Sequence, residues 1–120
     1  MFLELGLKRE NIVLNDSHGI VSAERKDLTA EKREFATTRH IASMAEALVD
    51  ADVFLGVSKP GVLTAEMIRT MAPHPIILAL ANPDPEISYD KAMASRPDII
   101  FATGRSDYPN QVNNVLGFPY

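Results

Sequence analysis

Hydrophobic residues gather along this chain in short unbroken runs: "NIVLN" at 11–15, "DVFLGV" at 52–57, "PIILAL" at 75–80 and "DIIFAT" at 98–103. Runs that do not alternate with polar residues predict strands buried on both faces, as in a parallel sheet. Between them the period changes. In "TTRHIASMAEALVD" the residues Ile41, Met44, Ala45 and Leu48 recur at i, i+3, i+4 and i+7, which predicts a helix capped by Thr37 or Thr38. "TAEMIRTMA" predicts a shorter helix with Thr64 as its cap, Glu66 in the first turn and Met67, Ile68 and Met71 facing inward. "SYDKAMASRP" predicts another, opening on Ser88 and stopping by Pro97. The polar stretch 17–36 predicts a surface excursion, with one helical turn in "LTAEKREFA" capped by Thr29 and Phe35 packing down. Strand alternating with helix predicts right-handed crossovers and the α/β class, with a doubly wound, mostly parallel sheet.

Composition narrows the function classes more than the fold. A chain of 120 residues, 46% hydrophobic and 23% charged, fits one soluble domain over 1–120, without repeats or low-complexity tracts. The net charge of −4 and the scattered cations give no basic field, so nucleic acid is not an expected partner. The absence of cysteine excludes disulfides and thiolate metal sites and fits a cytoplasmic setting. No apolar run is long enough to predict a membrane span.

Ligands of open parallel sheets collect at the carboxyl ends of the strands, so the residues after each run carry the candidate chemistry. After the first, Asp16 suits the acid that binds an adenosine ribose, and it equally suits a turn former beside Gly19. A ribose acid normally follows a glycine-rich phosphate loop by about 20 residues. Only Gly6 precedes Asp16, so that loop and the first strand are expected upstream of Met1, with Gly6 stopping the intervening helix. The chain then reads as a partial Rossmann-like domain. After the second run, "GVSKPGVLT" offers Gly56 for close backbone approach, Ser58 as a hydroxyl and Gly61 for a turn, although a structural turn has the same letters. After the third, Pro83 excludes helical geometry at Asn82 and presents its amide at the edge. After the fourth, the amides of Asn110, Gln111, Asn113 and Asn114 suit a small substrate bearing a carboxylate and a hydroxyl, or else turns and caps.

"ADVFLGVSKPGVLTAEMIRTMAPHPIILALANPDPEI", followed by "IIFATGRSDYPNQVNNVLGFP", closely resembles the NAD(P)-binding domain of malic enzymes of the bacterial type, and "ENIVLNDSHGIV" is similar to the same domain's second strand and acid-bearing turn. The resemblance implies oxidative decarboxylation of malate to pyruvate and carbon dioxide, with NAD or NADP as hydride acceptor and Mg or Mn as divalent cation, in a homo-oligomeric parent. Carried over by motif, it implies that Asp16 meets the adenosine ribose and that Val57 and Ser58 line the cofactor. Asn82 would face nicotinamide and malate, and Asn114, with Asn113 beside it, would bind substrate. The family's general acid/base lysine and tyrosine, its metal carboxylates and its glycine-rich loop belong to segments that precede the matched portion. No catalytic residue or metal ligand is therefore assigned here, and the isolated chain is expected to be inactive.

Other residues carry weaker signals. Arg25 and Lys26 in "ERK" could meet a 2′-phosphate or serve only as surface charge. His18, His40 and His74 follow no metal-ligand spacing. Asp84, Glu86 and Asp90 read most simply as charges near a helix N-terminus, and Met44, Met67, Met71 and Met93 as helix-face core. A non-catalytic dinucleotide-binding or regulatory α/β module is the alternative. A receiver-type signalling domain would need an acidic cluster with a matching lysine, and only Asp16 occupies such a position.

Overall fold

The computed structural model describes residues 4–105 and 110–112. They fall into two compact units, the first ending at Ala47 and the second beginning at Leu48.

The first unit opens with a turn at residues 4–6, Gly6 taking a positive φ of 99°, and a 3-10 turn at Arg9–Asn11. Two short strands, β1 (Asn15–Asp16) and β2 (Gly19–Ile20), form an antiparallel hairpin that pairs Asn15 with Ile20 and Asp16 with Gly19. Gly19 adopts a φ of 106°, which an L side chain would strain. The strand predicted over 11–15 is realised only at its last residue. Beyond the hairpin, the Leu14 carbonyl accepts from Val21 N–H at 2.9 Å, but Ile12 and Val13 find no ladder partner among the described residues. An apolar run becomes a strand only where a neighbour takes its main-chain groups.

Thr29 caps α1 (Ala30–Glu34) as predicted, its hydroxyl accepting from Lys32 N–H at 3.3 Å, and the Arg9 guanidinium lies 5.4 Å from the centre of the Phe35 ring. The next helix begins later than its periodicity predicts. Thr37 is buried and main-chain bonded on both sides, to the Val21 carbonyl and from Ala23 N–H, so it cannot serve as a cap. Helix α2 spans Met44–Leu48. Its start is a reciprocal arrangement in "SMAE": Ser43 Oγ accepts from Glu46 N–H at 3.3 Å while the Glu46 carboxylate accepts from Ala42 N–H at 2.9 Å.

The second unit is a three-stranded parallel sheet of β3 (Val53–Gly56), β4 (Ile76–Ala79) and β5 (Ile100–Thr103), in that order. Its crossovers contain α3 (Ala65–Arg69) and α4 (Tyr89–Ser95), which pack against each other. Thr64 and Ser88 cap them as predicted, accepting from Met67 and Lys91 N–H. Helix α4 ends at Ser95, where Arg96 turns extended before Pro97. Arg96 also holds the end of α3, donating to the carbonyls of Ile68, Met71 and Ala72 at 2.9–3.3 Å.

Register sorts the strands into rows. Phe54, Ile77 and Phe101 stand level, as do Gly56, Ala79 and Thr103. This is the covered face: Ile77, Ala79, Phe101 and Thr103 are buried and Tyr89 of α4 packs on Phe101 with ring centres 6.0 Å apart. Val53 and Ile100 on the opposite face are about half exposed, as is Leu55. On that opposite face Ala102 is buried and Ile76 and Leu78 are half-buried, so among the described residues the central strand comes nearer than β3 to the two-sided burial that continuity predicts.

Candidate functional site

The three parallel strands end level, at Gly56, Ala79 and Thr103, so the segments that follow them share one edge. The last β3–β4 rung is Leu80 N–H donating to the Gly56 carbonyl at 2.9 Å. Beyond it the two strands part, at the carboxyl edge where ligands of open α/β sheets collect.

After β3, Val57 projects into solvent with 74% of its surface exposed, and Ser58 is exposed beside it. An exposed apolar side chain at the end of a strand suits the flat face of a ring. After β4 the chain reaches Asn82, which precedes a cis bond to Pro83. Asn82 is exposed, and its side-chain amide makes no hydrogen bond among the described residues. That amide is free to donate and accept at once. The turn around it is held from outside by Arg105, which donates to Asp84 Oδ1 at 2.6 Å and to the Pro83 carbonyl at 3.4 Å.

Beneath the same turn lies a carboxylate that the sequence reading treats as a helix N-terminal charge. Glu86 is 0% exposed. Its Oε1 accepts from Ala81 N–H at 3.1 Å, and Oε2 accepts from Ser58 N–H at 2.9 Å and from Ser58 Oγ at 3.4 Å. Gly56 makes room for it, because a Cβ there would fall 2.4 Å from Oε2 and 2.7 Å from the Phe54 ring. No spacing rule marks such an acid in the sequence. The glycine that ends β3, thirty positions before it, is the one residue that hints at something passing beneath the strand.

The amides after β5 divide. Asn110 Nδ2 donates to the Phe101 carbonyl at 3.2 Å and Gln111 Nε2 to the Gly104 carbonyl at 3.5 Å, so both serve the return of the chain along β5. Asn113 and Asn114 lie outside the described residues.

Within the first unit, Asp16 is more heavily engaged than a free ribose acceptor would be. Oδ1 accepts from His18 N–H and Arg25 Nη1, each at 2.9 Å, and Oδ2 accepts from Arg25 Nη2 at 3.2 Å and Lys32 Nζ at 2.8 Å. Four donors fill the lone pairs of one carboxylate. Arg25 and then Lys32 hold the Asp16 carboxyl far below the usual range, and Arg25 also draws Asp27 down to about 2. Lys32, with 44% of its side chain exposed, is the partner a ligand hydroxyl could displace at least cost. Lys26 is exposed.

Among the described residues no group of three or more histidine, aspartate or glutamate side chains could hold a metal ion, and no helix is long and apolar enough to cross a membrane.

Residues 5–120 match the family model described as malic enzyme, NAD binding domain. The chain is 50% identical over its full length to the NADP-dependent malic enzyme of Halomonas elongata, covering 28% of that protein. It is 54% identical over 122 aligned residues to the NADP-dependent malic enzyme of Haemophilus influenzae, covering all of this chain and 16% of that one. The crystal structure of the NAD-dependent malic enzyme of Thermotoga maritima superposes with a TM-score of 0.82 at 39% identity, over 98% of this chain and 32% of that one. The chain thus spans less than a third of the length of these relatives. A parallel sheet whose strand ends carry the motifs, matched in sequence almost end to end, places the chain in the family of malic enzyme NAD-binding domains.

Proposed function

We propose that this chain is the part of a malic enzyme that positions NAD or NADP and malate for oxidative decarboxylation to pyruvate and carbon dioxide. The observation that carries the reading is Asn82: an exposed amide with both hydrogen-bonding functions unspent, on a turn held from both sides, at the level edge of a parallel sheet. Its carbonyl oxygen and NH2 suit a substrate that loses a hydroxyl proton and gains a ketone. Val57 and Ser58 line the dinucleotide at the neighbouring strand end. Asn113 and Asn114 complete the substrate contacts, and Asp16 meets the adenosine ribose by exchanging its bond to Lys32 for one to a ribose hydroxyl. The bound dinucleotide supplies the hydride acceptor. Lys26, which is exposed, is the cation available to a 2′-phosphate, whereas Arg25 would first have to give up its bonds to Asp16 and Asp27.

The Mg or Mn of the reaction, and the acid and base that move protons, are assigned in this reading to other segments of a cytoplasmic, homo-oligomeric enzyme. Nucleic acid and membrane have no part in this reading, in keeping with a net charge of −4.

The test is a complete enzyme in which this chain replaces the matching 28% of the Halomonas elongata protein. It is expected to reduce NAD+ or NADP+ in the presence of malate, and Asn82→Ala should lower kcat/KM for malate by at least about tenfold, as misplacing a reacting group does. Undiminished malate turnover in Asn82→Ala would instead favour a dinucleotide-binding module without a substrate role. Comparing NAD+ with NADP+ before and after Arg25→Ala and Lys26→Ala identifies the preferred cofactor.

A further inference from the structure

We infer that Glu86 is a positioning residue for the reaction proposed above, a buried carboxylate that sets the spacing between the cofactor-lining turn after β3 and the substrate-facing turn after β4. The inference rests on that reading for the roles of Ser58 and Asn82, but the bridge itself stands on geometry.

The β3–β4 ladder stops at the bond from Leu80 N–H to the Gly56 carbonyl. One residue further on, the strands are no longer joined to each other, and each is joined instead to the same side chain. Glu86 Oε2 takes Ser58 N–H and Oε1 takes Ala81 N–H, so the carboxylate acts as a rung inserted where the strands diverge. Its main chain adds a third tie, the Glu86 carbonyl accepting from Leu63 N–H at 3.2 Å. Ser58 is assigned to the cofactor, and Ala81 immediately precedes Asn82. A carboxylate has a fixed bite, so it fixes the separation of the two turns more tightly than water could. The side chain is fully buried and both oxygens accept from these donors, so it acts through the two turns. Gly56 belongs to the same device, since any side chain there would push the carboxylate off the strand ends.

Three variants separate this role from a purely structural one: Glu86→Gln, Gly56→Ala and Glu86→Asp. Glu86→Gln keeps the shape but turns an NH2 toward one of the two main-chain N–H donors. In the complete exchanged enzyme it should raise KM for the dinucleotide severalfold and lower kcat by about tenfold, the scale of one lost hydrogen bond made critical by position, while Tm falls only slightly. Gly56→Ala should give the same split, and the double variant should be no worse than the poorer single one, because both break one bridge. Glu86→Asp, which keeps the carboxylate with a shorter reach, should recover part of kcat. A fall in Tm with kcat and KM unchanged would overturn the inference, as would effects of Glu86→Gln and Gly56→Ala that multiply.

Hydrogen exchange in the 120-residue chain reads the bridge without any turnover. The Ser58 and Ala81 amides should be protected, and one of them should exchange about tenfold faster in Glu86→Gln while Leu78 is unchanged. Equal exchange in both proteins would also overturn the inference. If the exchanged enzyme fails to oxidise malate although the amides behave as expected, it is the proposed function that fails and not the bridge.

Discussion

Asp16 and Glu86 are both acids near the ends of strands, and they are held in opposite ways. Asp16 sits in a short hairpin and is gripped mainly by side-chain cations, Arg25 and Lys32, one of them nearly half exposed. Glu86 is fully buried and accepts from two main-chain N–H groups and a hydroxyl, with no cation on it among the described residues. Long cationic side chains can let go, at modest cost, when something else offers a better partner. Main-chain donors cannot leave without moving a strand. An acid of the first kind suits an exchangeable ligand contact, and an acid of the second kind suits a fixed frame.

The comparison breaks most visibly with Glu86→Ala. That change leaves the N–H groups of Ser58 and buried Ala81 without an acceptor and opens a cavity, and should cost about 3–5 kcal/mol in denaturant unfolding of the chain. A loss below about 1 kcal/mol would mean that water replaces the carboxylate and that the frame is not fixed. Arg96→Ala sharpens the contrast by testing a cation that does serve the main chain. Losing its bonds to the carbonyls of Ile68, Met71 and Ala72 should cost about 2 kcal/mol. Arg25→Ala should have the smallest effect on unfolding, but in a side-chain NMR titration the Asp16 and Asp27 carboxyls should both rise toward the ordinary 3.8.

The pH dependence of the first unit follows from the same grip. Both carboxyls titrate below their unfolded values, so the stability they contribute is present in full above pH about 4 and is lost as pH falls through the folded values, that of Asp27 being about 2. Circular dichroism from pH 5 down to pH 2, through the ordinary carboxyl value of 3.8 and down to that of folded Asp27, should show the onset of acid loosening in wild type and a weaker pH dependence in Arg25→Ala.

Much of this architecture is legible in the order of residues. The strands at 53–56, 76–79 and 100–103, and the caps at Thr29, Thr64 and Ser88, follow from runs and hydroxyls that need only local physics. Where local patterns mislead, a longer-range bond has taken the residue. Thr37 has the chemistry of a cap but is paired with Val21 and Ala23, and the signal that does start α2 is the Ser43–Glu46 pair inside the periodic segment. Ile12 and Val13 have the letters of a strand without a ladder partner among the described residues. Of the candidate site, Ser58 and Asn82 could be found because strand ends have a known use, Val57 only through the family resemblance, and all three lie exposed at the strand ends. Glu86 could not, because its letter is commonest on surfaces, and burial depends on Gly56 lying over it after the chain has folded back.

That pairing of Gly56 with Glu86 bears on how the domain can be engineered. The turns after β3 and β4 look like separable cassettes, each a short polar loop between a strand and a helix, and grafting one from a relative to alter cofactor or substrate choice is an obvious experiment. They are not independent parts. A graft that brings any larger residue to position 56, or another acid or amide to position 86, carries over half of a two-piece joint, so the loops are exchanged together or the recipient loses its alignment at the edge being redesigned.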